Sequence, residues 1–232
     1  MASALRFSND GLKFLKALKR NNRRDWFQPR KEQYEQLVRA PMVAIVARLA
    51  VDLRPIAPEI VVDPKRAIFR IYRDTRFSPD KRPYKTHVAA SFPWRGLARH
   101  EGAGLYFHVS PEEIWIGGGL YRPDTSQLHK VREHIAANWQ HLRSIVQSAA
   151  FRRAVGQLEG DKLRRVPHGF PNDHPAAEFL VFRQFVAGRE LPPSAAATAR
   201  FYPAIVDTFR VVVPLVRFLN EPLTDATPRA RT

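Results

Sequence analysis

The 232-residue chain has no cysteine, which excludes disulfides, thiolate metal sites and thiol nucleophiles. Long apolar runs are also missing. The most apolar stretch, Val211 to Leu219, is broken by Pro214 and Arg217, and nothing approaches the ~18–20 uninterrupted apolar residues of a membrane span. The opening residues, Met1 to Phe7, carry no apolar core of a secretory leader. With neither leader nor span, the expected location is cytoplasmic. Internal repeats, low-complexity blocks and Gly- or Ser-rich linkers are absent too. The length fits one domain over residues 1–223, with a flexible polar C-terminal tail over 224–232.

Acidic residues are scarce where basic ones are abundant. The net charge is +16, and it is unevenly placed. Residues 1–100 hold 22 Lys and Arg against nine Asp and Glu, whereas residues 101–232 hold 16 against 13. A basic half points to an anionic partner, such as a phosphorylated or carboxylated ligand or nucleic acid. Arg outnumbers Lys 29 to 9, a bias that a GC-rich coding sequence also produces, so charge alone does not decide the matter.

Periodicity divides the chain into three parts. Leu12, Leu15 and Leu18 at helical spacing behind Ser8 predict a helix over 9–20. Tyr34, Leu37, Val38, Met42, Ile45, Val46, Leu49 and Leu53 predict a second helix from Pro29, kinked at Pro41. The middle changes to strand-like composition. Residues 67–74, 86–94, 103–110 and 113–121 are rich in β-branched and aromatic side chains, and Ser110-Pro111-Glu112-Glu113 makes a hairpin turn between the last two. A third long helix over 125–149, capped by Asp124, then shorter helical pieces near 151–158 and 175–182, a short strand at 163–167 and a final helical region from Ser194, broken at Pro203 and Pro214, complete the pattern. The fold class is α+β: an antiparallel sheet of at least four strands within about residues 67–121, packed with N-terminal and C-terminal helices.

The most unusual segment is Arg70 to His87. It holds Arg70, Arg73, Arg76, Lys81, Arg82 and Lys85, joined by His87 when protonated, against only Asp74 and Asp80. On an extended backbone Arg70, Tyr72 and Asp74 share one face while Ile71 and Arg73 take the other. Residues 74–85 then form a long connection stiffened by Pro79 and Pro83, and long ordered connections often carry function. Arginine forks gathered there suit phosphate or carboxylate. Tyr84, His87 and Asp74 are the candidates for moving a proton. The competing reading is an Arg–Asp–Tyr network that pins the loop to the sheet.

The run Arg70-x-x-Arg73-Asp74-x-Arg76-Phe77-x-x-Asp80-Lys81-x-Pro83-Tyr84 resembles the signature R-x-x-R-D-x-R-F-x-x-D-K-x-P-Y of a conserved-hypothetical family, a domain of unknown function of about this length. The likeness extends to Asn21-Asn22, Trp26-Phe27, the triplet Gly117-Gly118-Gly119, Pro167-His168-Gly169-Phe170 and Asp173-His174-Pro175. It implies no chemistry, but it points to the same site residues.

Two further places invite a ligand. Gly117, Gly118 and Gly119 precede a helix N-terminus, where backbone amides could meet an anion; the alternative is close packing under an aromatic. His168, Asp173 and His174 have metal-ligating chemistry but no recognised spacing, so a turn with an Asp cap is favoured and no metal or cofactor is expected. There is no G-x-S-x-G and no nucleotide-binding glycine fingerprint. Asp74 and Asp80 among arginines should be too acidic for general-acid work. The expected ligand-binding set is therefore Arg70, Arg73, Asp74, Arg76, Asp80, Lys81, Tyr84, Lys85, His87 and the three glycines. The leading expectation is binding of an anionic ligand, phosphorylated or carboxylated, with nucleic acid among the candidates. An enzyme acting on an anionic small molecule and a purely structural motif are the alternatives.

Overall fold

A computed structural model of the chain describes residues 5–224; most of the expected tail lies outside them. The α+β architecture is as the composition implies. Four antiparallel strands, β1 (Val88–Phe92), β2 (Gly104–Val109), β3 (Ile114–Leu120) and β4 (Phe185–Leu191), lie in the order β1-β2-β3-β4. The turn between β2 and β3 closes as expected: Ser110 N–H donates to the Glu113 carbonyl at 2.9 Å, and the Ser110 hydroxyl accepts from the amides of Glu112 and Glu113.

Membership of the sheet differs from the expectation at both ends. Residues 67–74 are not a full strand but touch β1 through a single bridge, Ile68 to Ala90, with Phe69 N–H on the Ala89 carbonyl. The fourth strand is instead β4, where two apolar positions and a glycine alternate too briefly to stand out. The piece at 163–167 is irregular; Lys162 beside it makes one bridge to Phe182.

Helix α1 (Asn9–Arg20) has the expected Ser8 cap, with the hydroxyl accepting from Gly11 N–H. The second helical region is segmented. Short helices α2 (Arg24–Phe27) and α3 (Lys31–Tyr34) lead into a π turn over Glu35–Arg39 and then α4 (Ala40–Asp52). Pro41 explains the π turn, because it offers no N–H to the carbonyl of Leu37 four residues earlier. That carbonyl faces α1 so closely that a Cβ at Gly11 would sit 2.5 Å from its oxygen. After a short turn of helix, α5 (Pro64–Ala67), and the first three strands come α6 (Thr125–Ala137), α7 (Trp139–Gln147) and α8 (Ala149–Val155), broken at Asn138 and Ser148. The one-turn helix α9 (Ala177–Leu180) precedes β4. The last helix, α10 (Phe201–Thr224), begins later than Ser194 and runs unbroken through Pro203, Pro214 and Pro222, against the expected interruptions at Pro203 and Pro214. Its burial against the sheet outweighs the lost backbone bonds.

Packing of α10 on β3 sets the inner face of the sheet. Leu105, Phe107, Ile114, Ile116 and Leu120 face it, and with the helices they form one contiguous apolar cluster. At the end of α10 the buried Asn220 amide grips the backbone of Ala103, accepting from its N–H at 2.8 Å and donating to its carbonyl at 3.0 Å. Asn220→Ala strands both groups in a dry interior. The expected loss is about 1–3 kcal/mol of unfolding free energy, read by urea denaturation; a change of a few tenths would show that water reaches these groups.

Candidate functional site

The connection between residues 70 and 87 is held at its base by backbone pairing and at its flank by an amide. Tyr72 pairs with Tyr84; Arg73 N–H donates to the Pro83 carbonyl at 2.9 Å, and Lys85 N–H to the Ile71 carbonyl at 2.8 Å. The Asn22 side chain, just past α1, grips Tyr84 as Asn220 grips Ala103, accepting from its N–H and donating to its carbonyl. The Tyr84 ring, 1% exposed, stacks on Phe27 at 4.1 Å. Tyr84 is thus a wedge into the core, and a proton-transfer role does not suit its position.

Two carboxylates then organise the loop. Asp80 accepts from Arg82 through Nε and Nη2, from the Arg82 amide, and from Arg73 Nη1 at 2.5 Å. Those bonds, Arg82 first and Arg73 second, hold its carboxyl well below the usual carboxylate range. Asp74 accepts from the Arg76 Nε, Nη2 and amide, which brings it down to about 2. An aspartate this acidic holds no proton to exchange near neutrality. Lys81 Nζ donates to the Thr75 carbonyl. Arg73, Arg76, Asp74, Asp80, Lys81 and Tyr84 therefore build and lock the loop, as the network reading supposed.

Charge is left over. The locked pairs leave Arg70, Lys81, Lys85 and one guanidinium equivalent of the Arg73–Asp80–Arg82 triad without a carboxylate of their own. The structure adds Arg99, which the sequence reading missed. Lys85 Nζ lies 4.9 Å and the Arg99 guanidinium 4.5 Å from the centre of the same Phe69 ring. Arg99 also donates to the Arg66 carbonyl, but no ion pair to Arg70, Lys85 or Arg99 exists among the described residues. Burial first, then the positive charges of Arg70 and Arg99, push the Lys85 amine below its ordinary value. Like charges gathered without a counter-charge are costly unless something outside supplies one.

These cations border the second face of the sheet. The register sets Tyr106 beside Gly117 and Gly188, and His108 beside Trp115, on the face away from α10. Phe69 meets Tyr106 edge-on at 6.3 Å, Tyr106 meets Trp115 at 5.9 Å, and His87 meets His108 at 5.4 Å. All are half-buried. Burial, then the charges of His108 and Lys85, lowers His87 to about 4, so it is neutral at pH 7. His108 is also lowered by burial, and its Nδ1 has no hydrogen-bond partner among the described residues. On the loop side a cleft of about 230 Å³ is lined by Asn22, Arg73, Asp80, Arg82, Tyr84, Lys85, Thr86 and His87.

The glycine triplet does not form an anion nest. Gly117, Gly118 and Gly119 lie inside β3, where their backbones pair with β2 and β4. A Cβ at Gly117 or Gly188 would fall 2.6 or 2.3 Å from the Trp115 indole, and one at Gly118 would meet the Gly104 carbonyl at 2.5 Å and Leu105 at 2.9 Å. Close packing under an aromatic accounts for Gly117, whereas Gly118 makes room for the Gly104 carbonyl and Leu105, and Gly119 for the Phe185 backbone at a φ of +132°. The helix that follows satisfies itself, since Asp124 and Gln127 form a reciprocal capping box. His174 likewise accepts from the Ala176 amide and caps a turn.

Tyr106 and His108 were visible in the sequence as the alternate positions of β2, opposite Leu105, Phe107 and Val109. Arg99 carried no such signal; it sits in a polar turn, and only the folded chain brings it over Phe69.

Residues 10–218 match the family of conserved hypothetical proteins DUF2461, and the chain belongs to that family. Curated proteins and solved structures provide no match.

Two outcomes follow from this geometry. Asp80→Asn removes the charge that holds two arginines, so trypsin should cut after Arg76 or Lys81 several times faster than in the parent; equal rates would mean that the ion pairs do not order the loop. Between pH ~6.5 and ~4 the unfolded chain takes up a proton that buried His87 refuses. The stability His87 contributes is therefore complete above about pH 6.5 and declines as pH falls towards 4, and His87→Gln should flatten that decline in acid-dependent urea melts.

Proposed function

We propose that this family member binds an anionic ligand, phosphorylated or carboxylated, where Arg70, Lys85 and Arg99 converge beside the cleft under the locked loop. The observation that carries the reading is the half-buried Lys85 ammonium, crowded by two arginines and paired with no carboxylate. A phosphate there would receive charge-assisted hydrogen bonds from forks already fixed in place. Cation–π contact with Phe69 offsets part of the cost of holding these charges empty, by ~0.5–1 kcal/mol per cation at a partly exposed site. His87, neutral beside that position, would gain affinity for a proton once an anion arrives, so His87 should make binding tighten as pH falls towards its free-chain value of about 4.

Much of the expected set changes role in this reading: Arg73, Asp74, Arg76, Asp80, Lys81 and Tyr84 act through the loop rather than on the ligand, the three glycines serve the sheet, and Arg99 is added.

The test is thermal unfolding with and without pyrophosphate. The wild-type chain should gain several degrees at saturating ligand. Lys85→Met should abolish the gain while leaving the ligand-free melting temperature unchanged or higher, because it removes an uncompensated charge. An equal pyrophosphate gain in Lys85→Met, or no gain in the wild type, would overturn the proposal.

A further inference from the structure

Phe77 sits at the tip of the locked loop and is 92% exposed. A large apolar side chain held almost wholly in water, on a loop whose backbone is fixed by two aspartates, is presented rather than merely tolerated. It does not stand alone. The Arg76 guanidinium lies 5.6 Å from its ring centre. Arg76 pairs with Asp74, which feels the charge of Arg70. Arg70 in turn is close enough to Lys85 to lower its amine, and Lys85 and Arg99 bracket Phe69, which touches Tyr106. Tyr72, on the same loop, is 42% exposed and meets Tyr84 at 5.5 Å. A run of cations thus leads from the Phe77 ring to the Phe69 and Tyr106 rings on the sheet, with Asp74 the one carboxylate within it.

Cations set between exposed and half-buried rings are the physical pattern of a surface for unpaired nucleotides: charges track the phosphates while rings take the bases, whose faces are free only in a single strand. We infer that the track from Phe77 to Tyr106 binds single-stranded nucleic acid, with phosphates at Arg70, Lys85 and Arg99 and a base stacked on Phe77. The inference rests on the anion site proposed above and names its ligand class. A membrane surface fits less well, because one aromatic ring without aliphatic neighbours offers little to insert, and Tyr72 and Tyr106 would go unused.

Fluorescence anisotropy with a labelled oligothymidylate of about twelve nucleotides tests this. The wild type should bind at low salt, with log Kd rising against log salt at a slope of about 2 for three phosphates neutralised. Phe77→Ala should weaken binding about five-fold or more with the slope and melting temperature unchanged; its exposure makes a folding defect an unlikely confounder, and the melting temperature checks it. Lys85→Met should lower the slope. No binding at low salt, unaltered affinity in Phe77→Ala, or binding of phosphatidylglycerol vesicles in place of the oligonucleotide would each overturn the inference. If pyrophosphate still stabilises the chain in those cases, the anion site stands without the nucleic acid; if it does not, both fall.

Discussion

Between residues 70 and 87 six Lys and Arg side chains share two carboxylates, and the architecture of the loop follows from how those two are used. Asp80 is committed to Arg82 and Arg73, and Asp74 to Arg76. Each aspartate thereby converts a flexible connection into a fixed one, and neither forms a direct ion pair with Arg70, Lys85 or Arg99, although Arg70 lies near enough to Asp74 to lower it. The same pairing that builds the loop also isolates the positive charge beside it. Scaffold and site are therefore two consequences of one shortage of negative charge.

Much of the frame was readable from periodicity. The first helix and its Ser8 cap, the hairpin at Ser110 and the α+β class all follow from local residue patterns that tertiary packing reinforces. Where packing overrides local preference, the sequence misleads. Pro214 and Pro222 would end an isolated helix, yet α10 continues because its apolar face is buried along β3. Residues 67–74 have strand-like composition, but only Ile68 reaches β1, since the chain turns away to form the loop. The strand at 185–191 is short and contains Gly188, whose purpose, room for the Trp115 ring, is visible only in the folded sheet.

The site was legible in part. The charge imbalance of Arg70 to His87 is plain in the sequence, as is the alternation that puts Arg70 and Ile71 on opposite faces. Which arginines are spent on internal pairs is not, because the answer depends on a sharp reversal that brings Arg73 against Asp80. Arg99 entered only through its approach to Phe69, and Asn22, a plain polar residue after a helix, proves to clamp Tyr84. The glycine triplet illustrates the opposite error: residues that suit an anion are needed here so that backbone and indole can approach.

The central claim is that Lys85 carries a charge the protein does not balance. A nitrogen-15 and carbon-13 NMR titration of the Lys85 amine, with and without pyrophosphate, measures this directly. The account predicts an amine that releases its proton at lower pH than an ordinary lysine in the free chain and at clearly higher pH once the anion is bound. An ordinary titration that pyrophosphate leaves unmoved would contradict it.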